Sequence, residues 1–178
     1  MVRTAIVNVV ATASLNHFMD FKEFLKYKEF IYDANYYGGR VAYFKTSVME
    51  GKVSIFLSGK MISIGTKSEA QAFKELKLAM MFLVKRKLAR KIGLQTKIRN
   101  LVVTADFETS LDLEKLSENL KAIYEPEQFP GAILRIEKPF KTSILIFASG
   151  KVVMTGLIST EQIEPTIKLL KQLIDSNQ

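Results

Sequence analysis

"SILIFASGKVVMTG", residues 143–156, has a near copy in "VSIFLSGKMISIG", residues 53–65. Each reads as an apolar strand, a Ser-Gly-Lys turn and a second apolar strand, the pattern of a tight antiparallel hairpin. The likeness continues upstream. "IVNVVAT" (6–12) aligns with "IRNLVVT" (98–104), Tyr32-Asp33 with Tyr124-Glu125, and Gly39 with Gly131. The offset is 92 for Asn8 and Asn100 and 91 for Phe56 and Phe147, which puts one extra residue near "MEGK" (49–52). So steady an offset over four segments indicates an internal duplication. The predicted repeats are 1–92 and 93–178, joined near "RKIGLQTK" (90–97).

Periodicity predicts one element order in each repeat. A β-branched, alternating strand (3–13 and 97–107) leads into an amphipathic helix (19–30 and 111–122). Three strands follow, at 40–46, 52–58 and 60–66, and again at 132–138, 142–149 and 151–157. A closing helix starts after Ser68 in one repeat and after Ser159 or Thr160 in the other, where a hydroxyl can cap the first free N–H groups. Pro165 falls in the first turn of the second of these helices, where a missing N–H costs little.

Alternate residues of a strand point to opposite faces, so each strand divides into two sets. Val7, Val9, Ala11 and Leu101, Val103, Ala105 suit burial beneath helices. The other sets, Asn8, Val10, Thr12 and Asn100, Val102, Thr104, are apolar yet seeded with Asn and Thr. Two helices per repeat can cover only one face of such a sheet, and a free face exposed to water would be polar. A face this apolar indicates a long or flat partner that offers acceptors to the two equivalent Asn amides.

Composition narrows the chemistry. There is no Cys among the 178 residues, so disulfides, thiolate zinc sites and Cys nucleophiles are excluded. His17, the sole histidine, sits in the loop-like "LNHFMD" and reads as solvated. No enzyme, metal or cofactor is expected. No apolar run is long enough to span a bilayer and the N-terminus lacks a signal-peptide pattern, so no membrane association is expected. The net charge of +8 favours a polyanionic partner, and all of the excess lies in residues 1–90, with 15 Lys and Arg against 7 Asp and Glu.

The strings "YEPEQFPGAILRI" (124–136), "ILIFASGKVVMTG" (144–156), "IVNVVAT" (6–12) and "IRNLVVTAD" (98–106) resemble the TATA-box-binding protein family, general transcription initiation factors of archaea and eukaryotes. The resemblance covers both repeats. It implies an α+β fold: a saddle of one curved ten-stranded antiparallel sheet with four helices on its convex face and DNA beneath the concave one. It implies that Asn8 and Asn100 donate to minor-groove acceptors, with Val10, Val102, Leu145, Val153 and Thr155 packing on the groove floor. Wedges that kink the duplex, the family's own mechanism, fall on Phe129 with Phe147 and on Phe56 with Tyr37. Phosphate contacts fall on Arg135, Lys151 and Lys60, and an acidic contact for transcription factor B on Glu125 and Glu127.

Several positions depart from the repeat. Tyr37 stands where the family has Phe, Ser54 where the second repeat has Leu145, Ile64 where it has Thr155, and Tyr43 where it has Arg135. The first repeat is the divergent one. Plainer readings stand beside these: Phe56 and Phe147 as core, Asn8 and Asn100 as edge or bulge residues satisfied by backbone, Lys60 and Lys151 as solvated turn tips, Glu125 and Glu127 as solvated loop charges. "KRKLARK" (85–91) reads as a basic helix end, or as a contact to flanking DNA or an acidic regulator.

The expected function is initiation at A·T-rich TATA-box promoters, with transcription factor B recruited directly and RNA polymerase indirectly. The alternatives are a specialised paralogue of relaxed DNA preference, or a saddle-shaped protein-interaction module. Free of DNA, a homodimer would cover the same face. The chain begins almost at its first strand, which by resemblance favours an archaeal, cytoplasmic factor over a nuclear one.

Overall fold

The computed structural model describes residues 2–177. In chain order the elements are β1 (Arg3–Ser14), a 3-10 helix (Phe21–Lys26), β2 (Phe30–Ile31), a 3-10 turn (Tyr36–Gly39), β3 (Val41–Phe44), β4 (Lys52–Phe56), β5 (Lys60–Thr66) and α1 (Glu69–Lys85). The second repeat gives β6 (Lys97–Asp106), α2 (Leu113–Leu120), β7 (Gly131–Ile136), β8 (Thr142–Phe147), β9 (Lys151–Leu157), a 3-10 turn (Thr160–Gln162) and α3 (Ile163–Asp175). The strands are ordered β2-β3-β4-β5-β1-β6-β9-β8-β7 in one sheet, and the pairings described are antiparallel.

The chain divides into two compact units, residues 8–99 and residues 1–7 with 100–178. These differ from the halves 1–92 and 93–178 because the leading strand of each repeat is shared out. The first residues of β1 count with β6 and its neighbours, where the Thr104 hydroxyl donates to the Ala5 carbonyl at 3.4 Å. The first residues of β6 count with β1, where Arg99 Nε donates to Thr12 Oγ1 at 2.9 Å.

In the unit of residues 8–99, α1 lies on β4 and β5. Ser68 caps it by accepting from the Gln71 N–H at 3.2 Å, and Ala72, Leu76, Ala79 and Leu83 form its buried stripe. Val9, Ala11, Val53, Ile55 and Met61 are buried on the sheet, and each large aliphatic side chain so buried contributes about 1.5–3 kcal/mol. Phe24, Phe30, Phe44 and Phe82 interlock at ring separations of 4.2–5.5 Å. In the other unit, α2 lies on β7 and starts at Asp112, whose carboxylate accepts from the Lys115 N–H. Leu101, Val103, Ile144, Ile146, Val152 and Met154 are buried, as are Ile167, Leu170 and Ile174 of α3.

Three expectations change. The helix expected over 19–30 is a single 3-10 helix, because Phe21, Phe24 and Phe30 are all drawn into one aromatic cluster and the chain turns back at Tyr27 to start β2. Among the described residues nine strands stand where ten were implied, and the tenth is reduced to a single bridge, Ile123 opposite Ile133. The extra residue does not lie near "MEGK". Phe56 faces Val41 and Phe147 faces Gly131, an offset of 90 across that strand, whereas Ile31 facing Tyr43 and Ile123 facing Ile133 fix 92 just before it. Two extra residues therefore lie between Ile31 and Val41, and one fewer lies between Phe44 and Val53. Loops absorb such changes, and the net count hid both. Tyr43 thus takes the place of Ile133, and Lys45 that of Arg135.

Candidate nucleic-acid interface

The "SGK" turns hold the two hairpins in the same way. Gly59 and Gly150 sit at φ +79° and +78°, and a Cβ on either would run into a backbone carbonyl, of His17 or of Thr109. The Leu15 and Phe107 N–H groups donate to the Gly59 and Gly150 carbonyls at 2.8 and 3.1 Å, and the Met19 and Leu111 N–H groups to Leu57 and Ala148 at 2.8 and 2.9 Å. Backbone approaches this closely only where no side chain intervenes. His17 is half-buried beside this turn, its Nδ1 2.8 Å from the Leu15 carbonyl, rather than solvated.

Burial alternates along β1 from Asn8 to Ser14 and along β6 from Asn100 to Asp106, with Val9, Ala11, Leu101 and Val103 closed off and their neighbours half-open. The helix-free side so defined carries Asn8, Val10 and Phe56 in the unit of residues 8–99, and Asn100, Val102, Leu145, Phe147, Val153 and Thr155 in the other, none of them buried. Lys60 and Lys151 are exposed at the starts of β5 and β9, and Arg135 is exposed on β7. Glu125 and Glu127 are exposed in a tight turn closed by the Gln128 N–H on the Glu125 carbonyl at 2.9 Å.

Each Asn is oriented by a bulge. The ladder of β1 on β5 slips between Val9 and Val10, so that Gly65 has no cross-strand partner; β6 on β9 slips between Leu101 and Val102 and leaves out Gly156. Both glycines have positive φ, +98° and +108°. The N–H that each bulge strands donates to the Asn side chain: Gly65 to Asn8 Oδ1 at 2.8 Å, and Gly156 to Asn100 Oδ1 at 2.7 Å. Thr155 Oγ1 adds a second donor to Asn100 Oδ1 at 3.2 Å. An N–H needs an acceptor, so the amide oxygens are fixed inward and the Nδ2 groups are left to donate, with no partner among the described residues.

Each unit also has a groove of repeated composition at the SGK end. One is lined by Thr12, Phe56, Ser58 and Lys60, the other by Thr104, Phe147, Ser149 and Lys151. A ring, hydroxyls and an ammonium suit a sugar-phosphate edge beside an apolar surface. Sequence reasoning missed Gly65 and Gly156, legible only as glycines inside strands, and missed Arg99 and Lys97, which line the first groove.

The aromatic pairs come out unequal. Phe129 and Phe147 meet with ring centroids 5.8 Å apart and planes at 63°. Tyr37 and Phe56 do not meet. The longer loop before β3 carries Tyr37 to φ +50°, exposed, with its hydroxyl near that of Tyr43. Burial first, and Tyr37 second, hold the Tyr43 phenol above its ordinary pKa. The basic run 85–91 is also engaged: α1 ends at Lys85, and the Arg86 guanidinium lies 3.3 Å from the Phe82 ring centroid and 4.8 Å from that of Tyr27.

The duplicated frame matches known proteins over nearly its full length. The family model described as "Transcription factor TFIID (or TATA-binding protein, TBP)" matches residues 3–85 and 95–176. The chain belongs to the TATA-binding protein family. It is 36% identical to the TATA-box-binding protein of Cenarchaeum symbiosum, over 90% of this chain and 88% of that one. To the TATA-box-binding protein of Methanopyrus kandleri it is 32% identical, over 96% and 95%. Among solved structures, the TATA-binding protein of Methanococcus jannaschii superposes with a TM-score of 0.87 at 31% identity, covering 98% of this chain and 99% of that one. The fold is therefore that of the TATA-binding protein family. Among the described residues no helix is long and apolar enough to cross a membrane.

Proposed function

We propose that this chain is a general transcription initiation factor that binds A·T-rich TATA-box DNA through the minor groove, bends it, and presents the complex to transcription factor B and, through it, to RNA polymerase. It is a DNA-binding factor and not an enzyme, as its family is. The observation that carries the reading is the pair of bulge-oriented amides, Asn8 and Asn100, whose free Nδ2 groups stand on an uncovered apolar face. A·T pairs present only N3 and O2 acceptors in the minor groove, which suit two amide donors, whereas G·C adds an amino donor that would oppose them. Val10, Val102, Leu145 and Val153 suit the groove floor, Arg135, Lys60 and Lys151 the phosphates, and Phe129 with Phe147 a wedge between base steps. Glu125 and Glu127, exposed in their turn, supply the acidic contact for transcription factor B. Work in an archaeal cytoplasm accords with the archaeal relatives.

A gel-shift comparison of TATA-like and G·C-rich duplexes tests this. The expected result is a preference for the first that survives moderate salt, and equal weak binding to both would refute it. Ser54, Ile64 and Tyr43 on the open face of β3–β5 favour one second reading, a paralogue of relaxed preference. In that case binding persists but discrimination falls.

A further inference from the structure

The two repeats differ at one cross-strand position in a way that decides what an aromatic wedge can do. Phe147 faces Gly131, whose φ is outside the left-handed region, so the glycine serves space and not conformation. A Cβ at Gly131 would meet Phe129 Cε1 at 2.9 Å, the Ile146 carbonyl oxygen at 3.1 Å and Phe147 Cε1 at 3.2 Å. The glycine leaves room for both rings to approach there. Phe56 faces Val41, whose branched side chain takes the cross-strand position that Gly131 holds opposite Phe147. Tyr37, the aromatic that answers to Phe129 by alignment, stands exposed at φ +50°, and nearby Lys52 Nζ lies 4.5 Å over the Tyr43 ring. Among the described residues Phe56 touches no other ring.

We propose that DNA bound by this chain is kinked unequally, sharply at the step entered by Phe129 and Phe147 and only shallowly beneath Phe56. At the shallow end Tyr37, Tyr43 and Lys52 hold the groove edge through hydroxyl and ammonium contacts to sugar and phosphate. The inference rests on the DNA-binding reading above and deepens it. Opening a base step exposes two base faces that must be covered for the kink to persist. Two rings at 5.8 Å form a continuous apolar edge that covers them, and a lone ring beside a valine leaves part of the gap to water. An unequal kink makes the complex directional without any change in base contacts.

The test uses the full chain with an A·T-rich duplex carrying donor and acceptor dyes at its ends, at protein concentrations that saturate a gel shift. Phe129→Ala and Phe147→Ala are expected to lose most of the wild-type rise in energy transfer. Phe56→Ala and Tyr37→Ala should keep most of it. Gly131→Val copies the Val41 arrangement and should behave like Phe129→Ala; thermal melting shows whether it is folded, and the alanine series decides the matter without it. Loss of transfer in Phe56→Ala or Tyr37→Ala equal to that in Phe147→Ala overturns the inference. If wild type fails to shift the duplex at all, the DNA-binding reading falls first and this one with it.

Discussion

Asn100 has two separable tasks, since its oxygen serves the Gly156 N–H and its amino group faces outward. Asn100→Asp keeps the acceptor and removes the donor. Its melting temperature should stay close to wild type while affinity for A·T-rich duplex falls about tenfold or more, the worth of one lost hydrogen bond made worse by a like charge near phosphate. Binding and melting measured on the same preparation check both halves of this statement; parallel loss of stability and affinity would mean a structural role only. Tyr43 offers a second handle. Its phenol titrates above its ordinary value, so the folded state holds the proton more tightly than the unfolded chain. The stabilisation is complete below pH about 10 and fades as pH rises through the phenol range, where the unfolded chain ionises first. Tyr37→Phe removes the hydroxyl neighbour and should move the phenolate absorbance transition of Tyr43 down toward the usual range.

The hairpins and α1 carry predictions about stability. Gly59→Ala and Gly150→Ala each force a Cβ into a positive-φ position already closed by a carbonyl, and each should cost about 1–3 kcal/mol in denaturant unfolding. α1 contributes more than its apolar stripe. Glu75, 1% exposed, accepts from the Glu50 and Gly51 N–H groups at 2.8 and 3.1 Å and from Gln71 Nε2 at 3.2 Å. It takes the place of a strand partner for the loop into β4. Glu75→Ala would leave two N–H groups unpaired and should cost about 2–4 kcal/mol, while Glu75→Gln keeps an acceptor and should cost less; melting temperatures of the two variants check the order. α1 and β4–β5 would loosen together, because the helix both covers these strands and closes their connection.

Charge is divided unevenly over the chain. Residues 8–99 hold 17 Lys and Arg against 7 Asp and Glu, and residues 1–7 with 100–178 hold 9 against 11. A polyanion is therefore attracted chiefly by one unit, which raises the encounter rate without specifying bases. Binding should weaken linearly in a plot of log affinity against log salt concentration. Lys60→Gln and Lys151→Gln should each reduce that slope by about one, equally for TATA-like and G·C-rich duplexes, if each neutralises one phosphate. An unchanged slope would return that lysine to the role of a solvated turn tip.

The duplication, most of the strand order, the long helix after Ser68, the apolar alternate set of each strand and the place of the two Asn in it were legible in the residues, because β periodicity and a repeated turn are local signals. So were the SGK hairpins, whose glycine can be read as a backbone position before its neighbours are known. Three-dimensional pairing alone decided the rest. The offsets of 90 and 92 around β3 compensate in the sequence count, so only the partners of Phe56 and Phe147 reveal that Val41 answers to Gly131 and Tyr43 to Ile133. The burial of Glu75 and the inward turn of both Asn oxygens likewise depend on N–H groups 24 to 57 residues away. Such contacts are fixed by the register of strands distant in the chain, and no local pattern records register.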